Sequence, residues 1–436
     1  MRLPRYLFVL IGLLAWNLAA AVEIQTWRSD NGVPVYFIES HDLPIVDMRL
    51  SFRAAASRDG DLPGLSSLVN GLLVEGSGDL DANQVALVFE REGARIGHRS
   101  GRDMAWTGLR SLSDSERLDS VVDMLGRLTA LPSFPREALE RDRASLLASL
   151  AERQQRIGTI AGDALYQAMY PGHPYRHGGA GTRESLQAIT LEDVVGFHRR
   201  YYVASNASLA IVGDLSAARA RHYANQVTRH LAIGQPAAEL PLPGSPARRS
   251  LFIEHPGDQS RIRIGMPLLA RHDPDYYILA LGNHILGGNG SHSRLMREIR
   301  ERRGLSYDVY SYLLPLESVG PFEIGLQTRS HQVTEVLELI DEIVRRFIAE
   351  GPDPAELEQA RRNIIGGFPL RLDSNLKLLE QLAMIGFYNL PLDYLDSYRR
   401  RIAGVSAGDI RRVFRQRLRP EHMIRVIVGP ATGPTP

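Results

Sequence analysis

Residues 280–312 read ALGNHILGGNGSHSRLMREIRERRGLSYDVYSY, and this stretch carries the signals from which the fold is deduced. An apolar run leads into a short segment of residues that take backbone conformations closed to most others: Gly287, Gly288, Asn289 and Gly290. We expect a helix to follow this segment, capped by Ser291 or Ser293 and ending at Gly304. The residues after the helix predict a strand over positions 307–313.

Two side chains of this stretch are expected to face one space beside a glycine loop with free amide groups. They are Arg300, near the end of the helix, and Tyr307, on the strand. By periodicity alone, a solvated arginine and a half-buried tyrosine explain the same pattern. A glycine loop before a helix is also typical of phosphate sites. However, no GK[ST] follows these glycines and no acidic residue is placed for a dinucleotide ribose, so the sequence disfavours nucleotide binding.

As a whole, the stretch resembles the C-terminal half of the pitrilysin/insulinase family of zinc metallopeptidases, in which a sequence of the form LGGGxSSRLxxxIRExxGLxYxVYS recurs. Arg300 and Tyr307 fall on that family's arginine and tyrosine. The resemblance implies that these two side chains hold the substrate backbone and polarise the scissile carbonyl. It also implies that the backbone of one segment guides the peptide: Gly287, Gly288, Asn289, Gly290 and Ser291.

Residues 1–21 have the pattern of a secretory signal peptide. Arg2 and Arg5 precede an apolar run from Leu7 to Leu18, and small residues follow it. The run is short for a membrane span, although a retained N-terminal anchor is the alternative. We therefore expect an exported protein, with the periplasm as its compartment and no membrane span after cleavage.

The composition argues against several classes of function. The 436 residues are 44% hydrophobic, which is enough to bury a large core in two or more domains. A formal net charge of +1 argues against nucleic-acid binding. The chain has no cysteine, so thiol catalysis, thiolate metal sites and disulfides are excluded.

A helix predicted near residues 65–73 aligns with the family's zinc-binding helix, and Ser67, Asn70 and Gly71 share its small, polar face. In the family this helix carries H-x-x-E-H, in which two histidines ligate zinc and the glutamate is the general base. The alignment places Ser67, Asn70 and Gly71 at these positions, and none of them can do this work. The third ligand, a glutamate on the next helix, aligns with Ala148. The resemblance therefore implies a lost zinc site.

No replacement metal site stands out in the sequence. His173 and His177 are four residues apart, but the prolines and glycines around them exclude a regular helix. His284 and His292 flank the glycine-rich segment without an acidic residue nearby. We therefore predict no cofactor in this chain and expect zinc in a partner subunit.

Hydrophobic periodicity predicts further elements along the chain. Strands are expected around residues 33–37, 46–52, 252–253 and 262–266. Amphipathic helices are expected over residues 115–130, 136–155 and 333–348, and Asp353 is placed to cap another.

The chain also repeats itself. Residues 189–214 can be laid on residues 405–430, an offset of 216, and each copy reads as a capped helix followed by a strand. A repeat of half the chain indicates two like domains rather than a solenoid. We place them at residues 22–231 and 250–430, joined by a proline-rich linker over residues 232–249 and followed by a disordered tail over residues 431–436.

These observations predict an α+β fold of two homologous domains, each a mostly antiparallel sheet backed by helices. The resemblance implies α/β rolls of the pitrilysin/insulinase type, four of which close around a peptide, on one chain or two. A chain with two such domains then needs a second chain.

The first hypothesis is therefore a non-catalytic subunit of an exported, heterodimeric zinc metallopeptidase. It would bind an unstructured peptide substrate with Arg300 and Tyr307, while a homologous partner holds the zinc. One alternative is a scaffold of the same fold with no role in proteolysis. The other is a stand-alone peptidase with an unrecognised metal site.

Overall fold

The computed structural model describes residues 23–245 and 249–431, which form two β-sheets and the helices that cover them. The strands are β1 (Gln25–Arg28), β2 (Pro34–Glu39), β3 (Ile45–Phe52), β4 (Gly76–Ser77), β5 (Leu80–Asp81), β6 (Arg95–Ser100), β7 (Ala105–Leu112), β8 (Ala207–Gly213), β9 (Arg249–Glu254), β10 (Gln259–Leu269), β11 (Val309–Leu313), β12 (Gly320–Arg329) and β13 (Ile424–Gly429). The α-helices are α1 (Leu65–Leu72), α2 (Ala82–Arg91), α3 (Ser115–Ala130), α4 (Arg136–Arg153), α5 (Ile157–Met169), α6 (Arg183–Ala188), α7 (Leu191–Tyr201), α8 (Ala217–Thr228), α9 (Tyr276–Asn283), α10 (Val333–Glu350), α11 (Pro354–Gly367), α12 (Asn375–Phe387), α13 (Tyr394–Ala403) and α14 (Ala407–Arg417). Two π-helical segments, His284–Gly288 and Met296–Glu301, lie between α9 and β11.

The two sheets share an order of five strands, to which the first sheet adds β1 at its edge. The first runs β1-β2-β8-β3-β7-β6 and the second runs β9-β13-β10-β12-β11. Each is antiparallel except for one parallel pair, β2 with β8 and β9 with β13. In the first sheet Leu50 lies opposite Leu209, and in the second Ile264 lies opposite Ile324. The predicted α+β fold of two like domains with mostly antiparallel sheets is confirmed.

The repeat seen in the sequence corresponds to one helix and one central strand in each half. Helices α7 and α14 begin and end 216 residues apart. Each starts with a capping box, Thr190 with Asp193 in α7 and Ser406 with Asp409 in α14. The helix leads into β8 or β13, which lies inside its sheet.

Helices are exchanged between the two halves, a feature that the sequence does not predict. Helix α5 comes from the first half but packs on β10 and β13 of the second sheet. Helix α12 comes from the second half and packs on β2, β3 and β8 of the first sheet. Each sheet is thus covered on one face by its own helices and on the other by a helix of the opposite half. This two-sided burial explains why β8 (ASLAIVG) is buried along its whole length and lacks polar alternation.

The segment between the halves follows the surface without helix or strand from residue 232 to residue 245. It is fastened to both halves, because the carbonyl of Pro241 accepts hydrogen bonds from His173 Nε2 (2.8 Å) and Ser318 Oγ (2.8 Å). Strand β9 starts at Arg249, the last residue of the predicted linker. Helices α5 and α12 each pack on the sheet of the opposite half, so the hydrophobic cores do not follow the predicted domain limits. The limits 22–231 and 250–430 stay a prediction.

Several predictions fall outside the described residues. These are the signal peptide over residues 1–21, the last part of the linker at residues 246–248, and all but the first residue of the tail over 431–436. Within residues 23–245 and 249–431, every helix is too short or too polar to cross a lipid bilayer.

Candidate functional site

The helix that carries Arg300 is held at both of its ends. Ser293 Oγ accepts from the amide of Met296 (3.3 Å), so the predicted cap at Ser293 is confirmed. Gly304 adopts a left-handed conformation (φ +63°), and the amide of Leu305 bonds the carbonyl of Ile299 (2.9 Å). The predicted end of the helix at Gly304 is therefore confirmed as well. Ser291 lies in a 3₁₀ turn, and its side chain is outside the described part of the chain.

An ion-pair cluster fixes this helix against α11. Glu356, on α11, accepts from Arg294 Nη2 (2.6 Å) and Arg297 Nη2 (2.9 Å). Burial raises the pKa of Glu356, but the hydrogen bonds from the two arginines outweigh burial and lower the pKa to about 2. The cluster therefore stays ionised at neutral pH, and Arg300 extends from an anchored element.

Arg300 and Tyr307 meet as the sequence predicts. The guanidinium carbon of Arg300 lies 4.6 Å from the centre of the Tyr307 ring, which is a cation–π distance. Tyr307 is 83% exposed, and a side chain of this size in water is available to a ligand.

The placement of Tyr307 on a strand is wrong, because β11 starts two residues later at Val309. Ser306 Oγ donates to the carbonyl of Gln327 (2.7 Å), and Thr328 Oγ1 donates to the carbonyl of Leu305 (2.6 Å). These side-chain hydrogen bonds occupy carbonyl groups that pairing of β11 with β12 would otherwise use. They hold the loop before β11, so that the strand does not extend back to Tyr307.

Arg300 and Tyr307 line a cavity of about 580 Å³ on the second half. Its floor comes from β10 and β12, and its wall comes from the loop between Gly304 and Asp308. The other residues around it are predominantly arginine and glutamine: Arg261, Arg329, Gln259, Gln327 and Gln332. The arrangement supplies hydrogen-bond donors around an open space, which suits a ligand with exposed carbonyl or carboxylate oxygens.

The glycine-rich segment does not line this cavity. Instead of a loop with free amides, residues His284–Gly288 continue α9 as a π-helical segment. A Cβ atom on Gly287 would lie 2.4 Å from Ser311 Oγ, and one on Gly288 would lie 2.9 Å from Asn283 Nδ2. Glycine is needed here because the segment packs tightly against β11 and the end of α9. Of the four residues, only Gly290 (φ +45°) uses the left-handed conformation that we expected.

At the positions of the family's zinc ligands, the side chains of α1 are already engaged with the protein. Ser67 Oγ donates to the carbonyl of Gly179 (2.6 Å). Asn70 Nδ2 donates to Tyr202 Oη (3.2 Å), and Asn70 Oδ1 is 3.3 Å from His98 Nδ1. An amide and a hydroxyl satisfied in this way are not zinc ligands, so this donor set does not fit the metal.

The other two positions that align with zinc ligands, Gly71 and Ala148, differ in their surroundings. A Cβ atom on Gly71 would lie 3.4 Å from Asp142 Oδ2 of α4, which is an ordinary van der Waals distance. Ala148, in contrast, is exposed. The residue of α4 that faces α1 is therefore Asp142, which the sequence analysis missed. Asp142 follows the buried Leu139 and Ala138 by three and four residues, so helical spacing places it on the same face of α4 and could have predicted this position.

Asp142 belongs to a small polar group with Glu75 and His98. Burial raises the pKa of Asp142, and the charge of Glu75 raises it further. Burial lowers the pKa of His98, against the attraction of the two carboxylates. Among residues 23–245 and 249–431, no set of three or more histidine, aspartate and glutamate side chains is placed to hold a metal ion.

Three of the histidines considered above as metal ligands are hydrogen-bonded within the protein or partly buried. His173 is buried, with Nδ1 accepting from the amide of Tyr175 (3.0 Å) and Nε2 donating to the carbonyl of Pro241 (2.8 Å). His177 accepts from the side chain of the neighbouring Arg176 (2.6 Å). Burial lowers the pKa of His284 to about 4, so its imidazole is neutral at neutral pH.

Comparison with known proteins decides the family. Residues 43–183 match the family model described as insulinase (peptidase family M16), and residues 188–364 match the model described as the peptidase M16 inactive domain. The chain belongs to the M16 family of peptidases. The resemblance found in the sequence is thereby confirmed, and the lost ligand positions make the chain an inactive member of this family.

Relatives of this M16 chain include a protein described as a non-peptidase homolog and proteins described as uncharacterized zinc proteases. It is 27% identical to the non-peptidase homolog YmxG of Helicobacter pylori, over 87% of each chain. It is 26% identical to an uncharacterized zinc protease of Streptomyces coelicolor, over 85% of this chain and 81% of the relative.

Solved structures show the same architecture. The crystal structure of a peptidase M16 inactive domain from Pseudomonas fluorescens superposes with a TM-score of 0.91 at 36% identity, over 95% of this chain and 99% of that one. A protease from Helicobacter pylori has a TM-score of 0.84 at 16% identity, over 94% of this chain and 100% of that one, which shows the fold alone.

Proposed function

We propose that this M16 chain is the non-catalytic, substrate-binding subunit of an exported heterodimeric zinc metallopeptidase that degrades or processes peptides. One observation supports the proposal above all. The positions that align with the zinc ligands and the base hold residues that cannot ligate zinc or act as a base, while Arg300 and Tyr307 lie together, exposed, at a cavity. A protein that served only as a scaffold would not need this pair.

In this proposal Arg300 orients the peptide. Its guanidinium carbon lies 4.6 Å from the centre of the Tyr307 ring, and the cation–π contact would hold the side chain in place at the cavity. The guanidinium N–H groups bind a backbone carbonyl of an extended peptide.

Tyr307 then acts on the reacting carbonyl. Its hydroxyl donates a hydrogen bond to the oxygen on which negative charge develops as water attacks the carbonyl carbon. A donor of this kind is typically worth about 3 kcal/mol of transition-state stabilisation. Zinc, held by the partner subunit, would activate the attacking water.

The partner is required because this chain lacks the ligands and the base. Ser67, Asn70 and Gly71 occupy their positions on α1, and the first two are engaged in hydrogen bonds within the chain. A homologous chain with an intact H-x-x-E-H would supply both functions and close the chamber around the peptide. We propose the periplasm as the compartment, following the signal-peptide pattern of residues 1–21.

The test is reconstitution with a zinc-bearing M16 chain from the same organism. Peptidase activity on a pool of unstructured peptides is measured for this chain alone, for the partner alone and for the mixture, and size-exclusion chromatography follows complex formation. We expect cleavage by the mixture only. A mixture that is no faster than the partner alone would favour the scaffold function.

Metal analysis separates the proposal from a stand-alone peptidase. We expect the purified chain to hold no stoichiometric zinc and the complex to hold zinc in the partner. Stoichiometric zinc in this chain alone, together with peptidase activity, would contradict the proposal.

A further inference from the structure

The cavity that holds Arg300 and Tyr307 has an excess of positive charge. Arg261, Arg300 and Arg329 line it, and Asp308 is the acidic residue among the lining side chains. Within residues 23–245 and 249–431, no carboxylate lies within ion-pair distance of these three arginines.

Arginines close to these in the sequence do have acidic partners, so the absence of nearby carboxylates is particular to the cavity. Arg263, two residues after Arg261 on β10, lies 3.6 Å from Glu323. Arg302, two residues after Arg300, bonds Glu298 (2.6 Å). The arginines that face the cavity thus lack the acidic partners that the adjacent arginines have.

Two buried polar atoms at the cavity also lack partners. Arg261 donates through Nη2 to Tyr310 Oη (3.0 Å), but its Nε is buried without an acceptor. Gln332 Oε1 is buried without a donor. An unsatisfied donor and an unsatisfied acceptor each cost free energy, and both belong to side chains that line the cavity.

We infer that this cavity selects peptides that carry a carboxylate, which is bound by Arg261 and Arg329 beside the backbone site of Arg300 and Tyr307. Planar guanidinium groups match the geometry of a carboxylate with paired hydrogen bonds. The carboxylate belongs either to an aspartate or glutamate side chain or to the C-terminus of the peptide. This inference rests on the proposed peptide-binding function and adds its substrate class.

Binding of short, unstructured peptides to the full chain, alone and in complex with its partner, tests the inference. The peptides carry a neutral fluorophore and differ at one central position, glutamate or glutamine, and at the C-terminus, free or amidated. Fluorescence anisotropy gives their affinities. We expect a peptide with a carboxylate to bind about tenfold more tightly than its neutral counterpart, as for a hydrogen bond to a charged group, and we expect salt to reduce the difference.

Variants locate the preference. Arg261→Gln and Arg329→Gln should each reduce it, Arg329→Lys should retain part of it, and Arg199→Gln should leave it unchanged, because Arg199 is an exposed arginine on α7 of the other half. The comparison of the two peptide positions tells which carboxylate is bound.

The outcomes separate this inference from the proposed function. If charged and neutral peptides bind equally while Arg300→Ala weakens both, the peptide site stands and the carboxylate preference is wrong. If a preference exists but survives both Arg261→Gln and Arg329→Gln, the inference is also overturned. If no peptide binds, the proposed function fails together with it.

Discussion

At the scale of single residues, the glycines of residues 287–290 show how the same residue type serves different needs. Gly290 uses a left-handed conformation, whereas Gly287 is required by the close approach of Ser311. Gly287→Ala would place a Cβ atom 2.6 Å from the backbone amide of Ser311, which cannot move as a flexible side chain could. We expect a loss of about 1–3 kcal/mol in the free energy of unfolding, measured by urea denaturation.

Gly196→Ala is the matched control. Gly196 lies inside α7 with nothing within 4 Å of an added Cβ atom. Alanine should stabilise the helix by up to about 1 kcal/mol. Equal effects of the two substitutions would contradict the packing explanation for Gly287.

Asp59 is a second residue with a measurable signature. Its carboxylate accepts from the amides of Gly64 (2.7 Å) and Ser66 (2.8 Å) at the start of α1. Burial raises the pKa of Asp59 to about 7, and these hydrogen bonds offset only part of the rise. Since the unfolded carboxyl titrates near pH 4, the folded state holds an extra proton between about pH 4 and pH 7.

The contribution of Asp59 to stability therefore falls as the pH rises through this window. Urea denaturation at several pH values should show this decrease in the wild type. In Asp59→Asn the decrease should be smaller, although the overall stability also drops because one backbone bond is lost. Asp61→Asn, an exposed neighbour, is the control. An unchanged slope in Asp59→Asn would contradict the explanation.

At the scale of elements, local sequence predicted helices such as α3, but neither the helices α5 and α12 nor the sheets on which they pack. Helix α3 has the predicted bounds, 115–130, because its apolar periodicity and the cap at Asp114 define it locally. Helices α5 and α12 also have apolar faces, but nothing local states which sheet they cover. That choice depends on contacts between residues far apart in the sequence.

Leu382 of α12 tests the exchange of helices. It is fully buried in the core that α12 forms with Ile38 and Val212 of the first sheet. Leu382→Ala should lower the free energy of unfolding by about 2–5 kcal/mol. Hydrogen exchange of amides in β2 and β8 should accelerate, although these strands are far from Leu382 in sequence. Leu376→Ala, on the same helix but 45% exposed in the wild type, should have little effect, and comparable effects would contradict the assignment.

The candidate site was also predicted in part. The sequence placed Arg300 and Tyr307 together because the cap at Ser293 and the glycine at Gly304 fix the helix that leads from one to the other. It could not reveal that side-chain bonds from Ser306 and Thr328 keep Tyr307 off the strand. Arg261, on a strand of a different hairpin, reaches the same cavity only through the pairing of β10 with β12.

At the scale of the whole molecule, the two halves are joined by more than the linker. Asp103 of the first half is buried and accepts from the amide of Glu317 (2.6 Å) and from Tyr388 Oη (3.2 Å), both of the second half. It also accepts from Tyr175 Oη (2.7 Å). With α5 and α12 exchanged as well, neither half keeps a complete core when the other unfolds.

We therefore expect a single unfolding transition for the full chain, with fluorescence and circular dichroism reporting the same midpoint. A fragment of residues 22–231 should expose the face of β2 and β8 that α12 covers and should bind a hydrophobic dye. Two separated transitions, or a fragment that folds cooperatively alone, would contradict this view of the molecule.

The central claim is that this chain supplies Arg300 and Tyr307 to a reaction whose zinc the partner holds. The most direct measurement is the turnover number of the reconstituted complex with the wild-type chain, Tyr307→Phe, Arg300→Ala and, as a control, Arg199→Ala. We predict that Tyr307→Phe lowers turnover by about a hundredfold, as expected for the loss of one donor to a developing oxyanion, while the partner still binds. Arg300→Ala should weaken both peptide binding and turnover, and Arg199→Ala should change neither. If Tyr307→Phe and Arg300→Ala leave turnover unchanged in an intact complex, the pair has no part in the reaction and the claim is wrong.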